Sequence, residues 1–256
     1  MKFSDLLNVG PGDKDPKEEN PFGKEMRILA KRNLPYDNRN SLDLARDAAK
    51  FSGINPALLL SSSFQEGMNK AIARPDEVSE AYINANVGAD YPVDAFYNYG
   101  IDQFDKYLPN IKQYLPEGFD QKYKIYQAKN EKGEPINTAA FKDNQSALMV
   151  KAAILKNNAA LMDKYATSKG VTLDDDTRNY FTLASYNAGE ANAMKMFDKY
   201  ISAKDKKSFI EKGDENWQKV HKNIGPRMEN IRIANELLNP PVVEPPVLPQ
   251  HEIVKQ

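Results

Sequence analysis

The chain has 256 residues, 41% of them hydrophobic, and a formal net charge of −1. That length supports one substantial core, and the balanced charge gives no general pull toward nucleic acid or an anionic membrane surface. It has no cysteine and only two histidines, His221 and His251, which excludes disulfides, thiol nucleophiles and a histidine-rich zinc site.

Residues 1–22, rich in Gly, Pro, Asp, Glu and Lys from residue 9 onward, read as a flexible arm. The first residues lack a secretory apolar region, and no apolar stretch approaches the ~18 residues of a membrane span. The chain is therefore expected to be made in the cytoplasm, with something else delivering it if its target lies beyond the membrane.

Residues 23–238 read as one mainly α-helical domain. Ser41 is expected to cap a helix running to about Phe51, with Gly53 just past its end. Asn55 is expected to cap the next, with Pro56 in its first turn, where a missing N–H costs nothing. That helix carries Leu58, Leu59, Leu60 and Phe64 toward Gln65-Glu66-Gly67. Glu66 lies seven residues after Leu59, two turns along the same face, and Gly67 is a natural stop. Partial burial and the negative end of the helix dipole would both raise its pKa, as a general acid requires. A solvated glutamate is the plainer alternative.

Residues 84–116, dense in Tyr, Asn, Asp and Pro, are expected to be irregular. A helix over residues 145–166 follows, with Leu148, Ala152, Leu155, Ala159 and Met162 at helical spacing. Two more, over 176–188 and 190–200, are expected to break near Gly189. A last helix is expected from about Pro226, with Met228, Ile231, Ala234, Leu237 and Leu238 as its apolar set. No strand alternation stands out. Residues 239–256, with five prolines, read as an extended tail. Trp217 is expected in the core, and neither histidine is given a role.

Three separated segments carry a family resemblance. Asn55-Pro56-Ala57-Leu58-Leu59-Leu60-Ser61-Ser62-Ser63-Phe64-Gln65-Glu66 resembles the helix presenting the catalytic glutamate in soluble lytic transglycosylases and goose-type lysozymes. Tyr99-Gly100-Ile101-Asp102-Gln103-Phe104-Asp105 resembles their Gly-Leu-Met-Gln segment, and Leu183-Ala184-Ser185-Tyr186-Asn187-Ala188-Gly189 resembles their Ala-Tyr-Asn-Ala-Gly motif. They occur in the family order and span roughly residues 41–238. Three departures bear on activity more than on fold. Gly67 stands where the family usually has serine, Asp102 where methionine is usual, and residues 70–92 look like an insertion.

The resemblance implies a lysozyme-like fold and cleavage of peptidoglycan glycan strands between N-acetylmuramic acid and N-acetylglucosamine, with Glu66 as acid. Asp94 and Asp105 match the acidic residues that activate water in goose-type lysozymes, though both also fit as ordinary loop aspartates. Gln103 would meet an acetamido group, Tyr186 would bond Glu66 or substrate, Asn187 would hold adjoining backbone, and Tyr99 would stack on sugar. No metal or cofactor is implied. Expected partners are the glycan strands and other virion or lysis proteins, as for a phage-encoded product. The alternative is an inactive lysozyme-like domain with a structural or glycan-binding role, such as a virion component. Removing residues 1–20 or 240–256 is expected to leave a folded helical core. A large fall in melting temperature on trimming the tail would show that it packs.

Overall fold

This computed structural model describes residues 21–34, 37–68, 109–119, 123–129, 135–141 and 143–240, with backbone alone for 21–22, 66–67 and both strands. The described chain is mainly α-helical. In order come α1 (Pro21–Leu29), α2 (Ser41–Ser52) and α3 (Pro56–Ser63), then a π-helical turn (Phe64–Met68) and a 3-10 turn (Lys112–Tyr114). A hairpin of β1 (Tyr123–Lys129) and β2 (Pro135–Phe141) follows. The remainder is α4 (Asn144–Ser168), α5 (Asp175–Ala188), α6 (Glu190–Ser202), α7 (Lys206–Lys212), a 3-10 turn (Glu215–Trp217) and α8 (Gln218–Leu238). No helix among the described residues is long and apolar enough to cross a membrane.

The innermost element is α3. Leu58, Leu59 and Leu60 are each at most 1% exposed, and Ser61, Ser62 and Ser63 are fully buried. A helix apolar around most of its girth has to be surrounded, and α8, α2 and α4 pack against it. Each buried leucine contributes about 1.5–3 kcal/mol. Its start is set locally: Asn55 Oδ1 accepts from the Ala57 N–H at 2.8 Å and Pro56 occupies the first turn. One residue pair earlier, Gly53 closes α2 at φ 67°, the left-handed conformation that glycine adopts without penalty.

The expected apolar row of α4, Leu148, Ala152, Leu155, Ala159 and Met162, is buried throughout. A second, smaller cluster forms on another side of the same helix from Ala147, Val150, Ala153 and Ile154 with Ile111. The long helix is thus a central beam with apolar groups on two flanks. Aromatic rings fill the far end of the main core, where Phe181 meets Tyr180, Phe197 and Tyr200 edge-on at 5.1–5.3 Å.

Two boundaries and two elements differ from expectation. Asn40, not Ser41, caps α2: its side chain accepts from the Asp43 N–H, while the Ser41 hydroxyl donates to the Ala30 carbonyl at 2.9 Å. The last helix begins at Gln218, eight residues before Pro226, which sits inside it. Packing of the helix against α3 and α5 outweighs the lost hydrogen bond. The antiparallel hairpin, paired from Tyr123↔Phe141 to Lys129↔Pro135, was not evident from alternation. Its aromatic and β-branched content, with Pro135 opening β2, suits a short two-stranded ribbon. Helix α1, also unanticipated, packs against α8, and Trp217 lies partly buried against the core as expected.

Because an interior proline costs about 3 kcal/mol relative to alanine, Pro226→Ala is expected to stabilise the fold by about 1–3 kcal/mol. Urea unfolding checks this. An unchanged or lower midpoint would mean that the ring itself packs favourably.

Candidate functional site

The turn that carries Glu66 is unusual. After Ser63 the helix does not stop at Gly67 but widens into a π-helical turn over Phe64-Gln65-Glu66-Gly67-Met68. At the junction the Phe64 N–H is shared between the Leu60 and Ser61 carbonyls. π-Turns hold well under 1% of residues and recur at functional sites. The wider i→i+5 ring resets the helical phase, so the seven-residue projection from Leu59 to Glu66 does not carry past Phe64.

Fully buried Phe64 and Met68 pin the turn on either side of Glu66. Two polar ties fix it to α8. Ser61 Oγ donates to the Arg227 carbonyl at 2.6 Å, and Gln65 Nε2 donates to the Asn223 carbonyl at 3.1 Å. Ser62 and Ser63, which lead into the turn, are fully buried. The Arg227 side chain is only 4% exposed, and burial pushes its guanidinium down to about 10.

The second part of the site is the end of α5. Tyr186 packs against both apolar clusters, and the Lys151 ammonium, itself fully buried, lies 5.3 Å from its ring centre. Asn187 Nδ2 donates to the Leu183 carbonyl at 2.8 Å, so it holds the backbone of its own helix one turn back. Gly189 follows at φ 81°, ψ 155°, a region essentially closed to residues with a Cβ. This one residue ends α5 and lets α6 start immediately, with no side chain capping α6.

A cavity of about 430 Å³ opens where α5 gives way to α6. Ser185, Tyr186 and Gly189 form one wall, Ile154 and Asn158 of α4 another, and Asn110 and Ile111 a third. A second recess, of about 350 Å³, lies between Gly53, α4 and the start of α5. Its charges are satisfied among themselves: Arg178 meets Asp163 at 2.8 Å and Asp175 at 2.6 Å, and Lys156 donates to the Gly53 carbonyl.

Of the residues singled out from the sequence, Tyr186 lines the first cavity and Asn187 sits beside it. The Glu66 backbone lies in the π-turn; its side chain is outside the description. Asp94, Asp105, Gln103 and Tyr99 lie outside the described residues, as do Asp102 and residues 70–92. Helix α3, which leads to Glu66, and α5, which carries Tyr186, both pack on α4.

No protein-family model, curated protein or solved structure matches this chain. What the site does is therefore a matter of its own chemistry.

Sequence reasoning passed over the asparagines. Asn157-Asn158 interrupts the apolar pattern of α4 with two residues that favour caps and turns over helix interiors, and that interruption was the available signal. His221, given no role, joins Tyr180 to the chain: its ring nitrogens lie 3.3 Å from the Tyr180 hydroxyl and 2.8 Å from the Glu211 carbonyl. Burial pushes the Tyr180 hydroxyl's pKa up.

Gly189→Ala tests the junction. A Cβ there would meet no atom within 4 Å, so the cost is backbone strain alone. The expected loss of stability is about 1–3 kcal/mol, measured by chemical denaturation. A loss below a few tenths of a kcal/mol would show that the junction relaxes freely.

Proposed function

We propose that this chain cleaves peptidoglycan glycan strands at the β-1,4 bond between N-acetylmuramic acid and N-acetylglucosamine, through a lysozyme-like fold with Glu66 as acid. The observation that carries the reading is the cavity at the end of α5. The segment with the most specific resemblance, Tyr186 to Gly189, is where the described chain opens a pocket. The rare π-turn holding Glu66 adds to it, since such turns concentrate at functional sites.

In this reading Glu66 protonates the bridging oxygen as positive charge develops on the sugar ring. Two outcomes diverge from there. In the transglycosylase route the same carboxylate turns base, takes the proton of the muramic acid 6-hydroxyl and closes a 1,6-anhydro ring. In the hydrolytic route Asp94 or Asp105 activates a water on the opposite face. Neither route calls on a metal or cofactor. As a phage-encoded protein it would reach the wall by release on lysis or carried in the virion.

Glu66→Gln keeps the side-chain volume but cannot deliver a proton. It is expected to abolish peptidoglycan clearing while leaving the melting temperature nearly unchanged. A parent protein that clears no peptidoglycan from several sources between pH 4 and 8 would sink the enzyme reading. A structural or glycan-binding role would then stand in its place.

Mass spectrometry of the digest separates the two routes. If water is the nucleophile, the products are reducing and Asp94→Asn or Asp105→Asn abolishes release. The relevant carboxylate would then stand ~6.5–9.5 Å from that of Glu66. Anhydro products with both variants fully active would establish the transglycosylase route.

A further inference from the structure

The cavity at the α5–α6 junction has a cation behind its wall rather than in it. Among its described lining residues only Glu190 is charged. Lys151 is not part of the lining, yet it shares a stripe of α4 with two residues that are. Ile154 and Asn158 follow it at i+3 and i+7, on the same helix face. Lys151 is among the largest fully buried side chains of the described residues. Its ammonium lies over the Tyr186 ring, 5.3 Å from the ring centre. Tyr186 does line the cavity, and its hydroxyl oxygen is itself buried. One aromatic ring thus joins a buried charge to the cavity.

The ammonium acts on that ring in two ways. A cation within about 6 Å of an aromatic face is attracted by the ring quadrupole, more strongly where water is excluded, so it holds the ring's orientation. Its charge also reaches the phenolic oxygen. An opposite charge within ~4–6 Å favours the ionised form of an acid, and a buried site screens this weakly. A hydroxyl polarised in this way is a stronger hydrogen-bond donor.

The helices packed against α5 are α4, α6 and α8, and their other charges are placed differently. Glu190 of α6 opens on the same cavity and works in the opposite sense. Asp198 of α6 pairs with Lys169. On α4, Lys156 and Asp163 belong to the second recess. On α8, His221 meets Tyr180, and Arg227 is tied through its carbonyl to Ser61 of α3.

We propose that Lys151 is a positioning residue of this site, which acts through the Tyr186 ring to fix the phenol's orientation and strengthen its hydroxyl as a donor. Lys151 itself touches no substrate. The proposal rests on the glycan-cleaving reading for what the hydroxyl meets, Glu66 or the sugar, but not for the coupling of lysine to tyrosine.

The test follows the Tyr186 hydroxyl by NMR in the intact protein with ring-labelled tyrosine, Tyr186→Phe identifying its signal. Parent and Lys151→Met are titrated with alkali, methionine keeping a long unbranched stem without the charge. The Tyr186 midpoint is expected to rise in the variant by about one pH unit or more, a tenfold or greater loss of acidity. The Tyr180 signal should stay where it is, which a general loosening of the fold would not allow. Should Lys151→Met melt early, Lys151→Gln carries the same measurement. A Tyr186 midpoint that is unchanged or lower in the neutral variants, or a Tyr180 signal that moves with it, would overturn the proposal. A protein whose Tyr186 responds to Lys151 but which clears no peptidoglycan keeps this proposal and loses the enzyme. A parent that clears peptidoglycan while Tyr186 ignores Lys151 does the reverse.

Discussion

Everything in this fold is arranged around one short helix that cannot face water. Over eight residues α3 exposes almost nothing, so the long helices α4 and α8, together with α2, have to close around it. Apolar burial supplies the driving force, but it does not set the rotation of one helix against another. That is the contribution of two polar ties, from Ser61 and Gln65 to carbonyls of α8. Their acceptors, Asn223 and Arg227, bracket Pro226. The proline removes a backbone donor from this stretch, yet the helix continues because α3 and α5 hold it in place.

The same confinement gives the π-turn its meaning. A helix buried on all sides has no freedom to unwind at its end, so a change of pitch there is held by Phe64 and Met68 rather than by solvent. The result is a fixed backbone frame for Gln65-Glu66-Gly67 at the edge of the core. At the other pole of the site, the positive φ of Gly189 joins two helices without a loop. Gly189 lines the cavity, so the junction forms part of its wall.

Helix α4 links the two poles. Its apolar flanks support α3 on one side and Ile111 on the other, and between those flanks it turns Asn158 toward the cavity. A buried lysine beside Tyr186 and a buried arginine on α8 bring two cations into or near the same interior. Such groups are costly to bury unless they are paired.

The sequence by itself determined the helices whose signals are local. Asn55-Pro56 starts α3, Gly53 ends α2 and Gly189 parts α5 from α6, because a cap, a fixed φ and a positive φ are properties of one or two residues. The row from Leu148 to Met162 declared its buried face through periodicity alone. Glu66 and the Tyr-Asn-Ala-Gly segment were legible as residues of interest, with their resemblance as the guide. Only the tertiary structure decided the start of α8, where packing overrode Pro226, and the π-turn, which no residue preference encodes. It alone turned the Asn157-Asn158 interruption from an irregularity into a wall. The hairpin too escaped, since a ribbon of two strands needs no alternating buried face. Local stereochemistry is written residue by residue, whereas a cavity exists only where distant segments fail to meet.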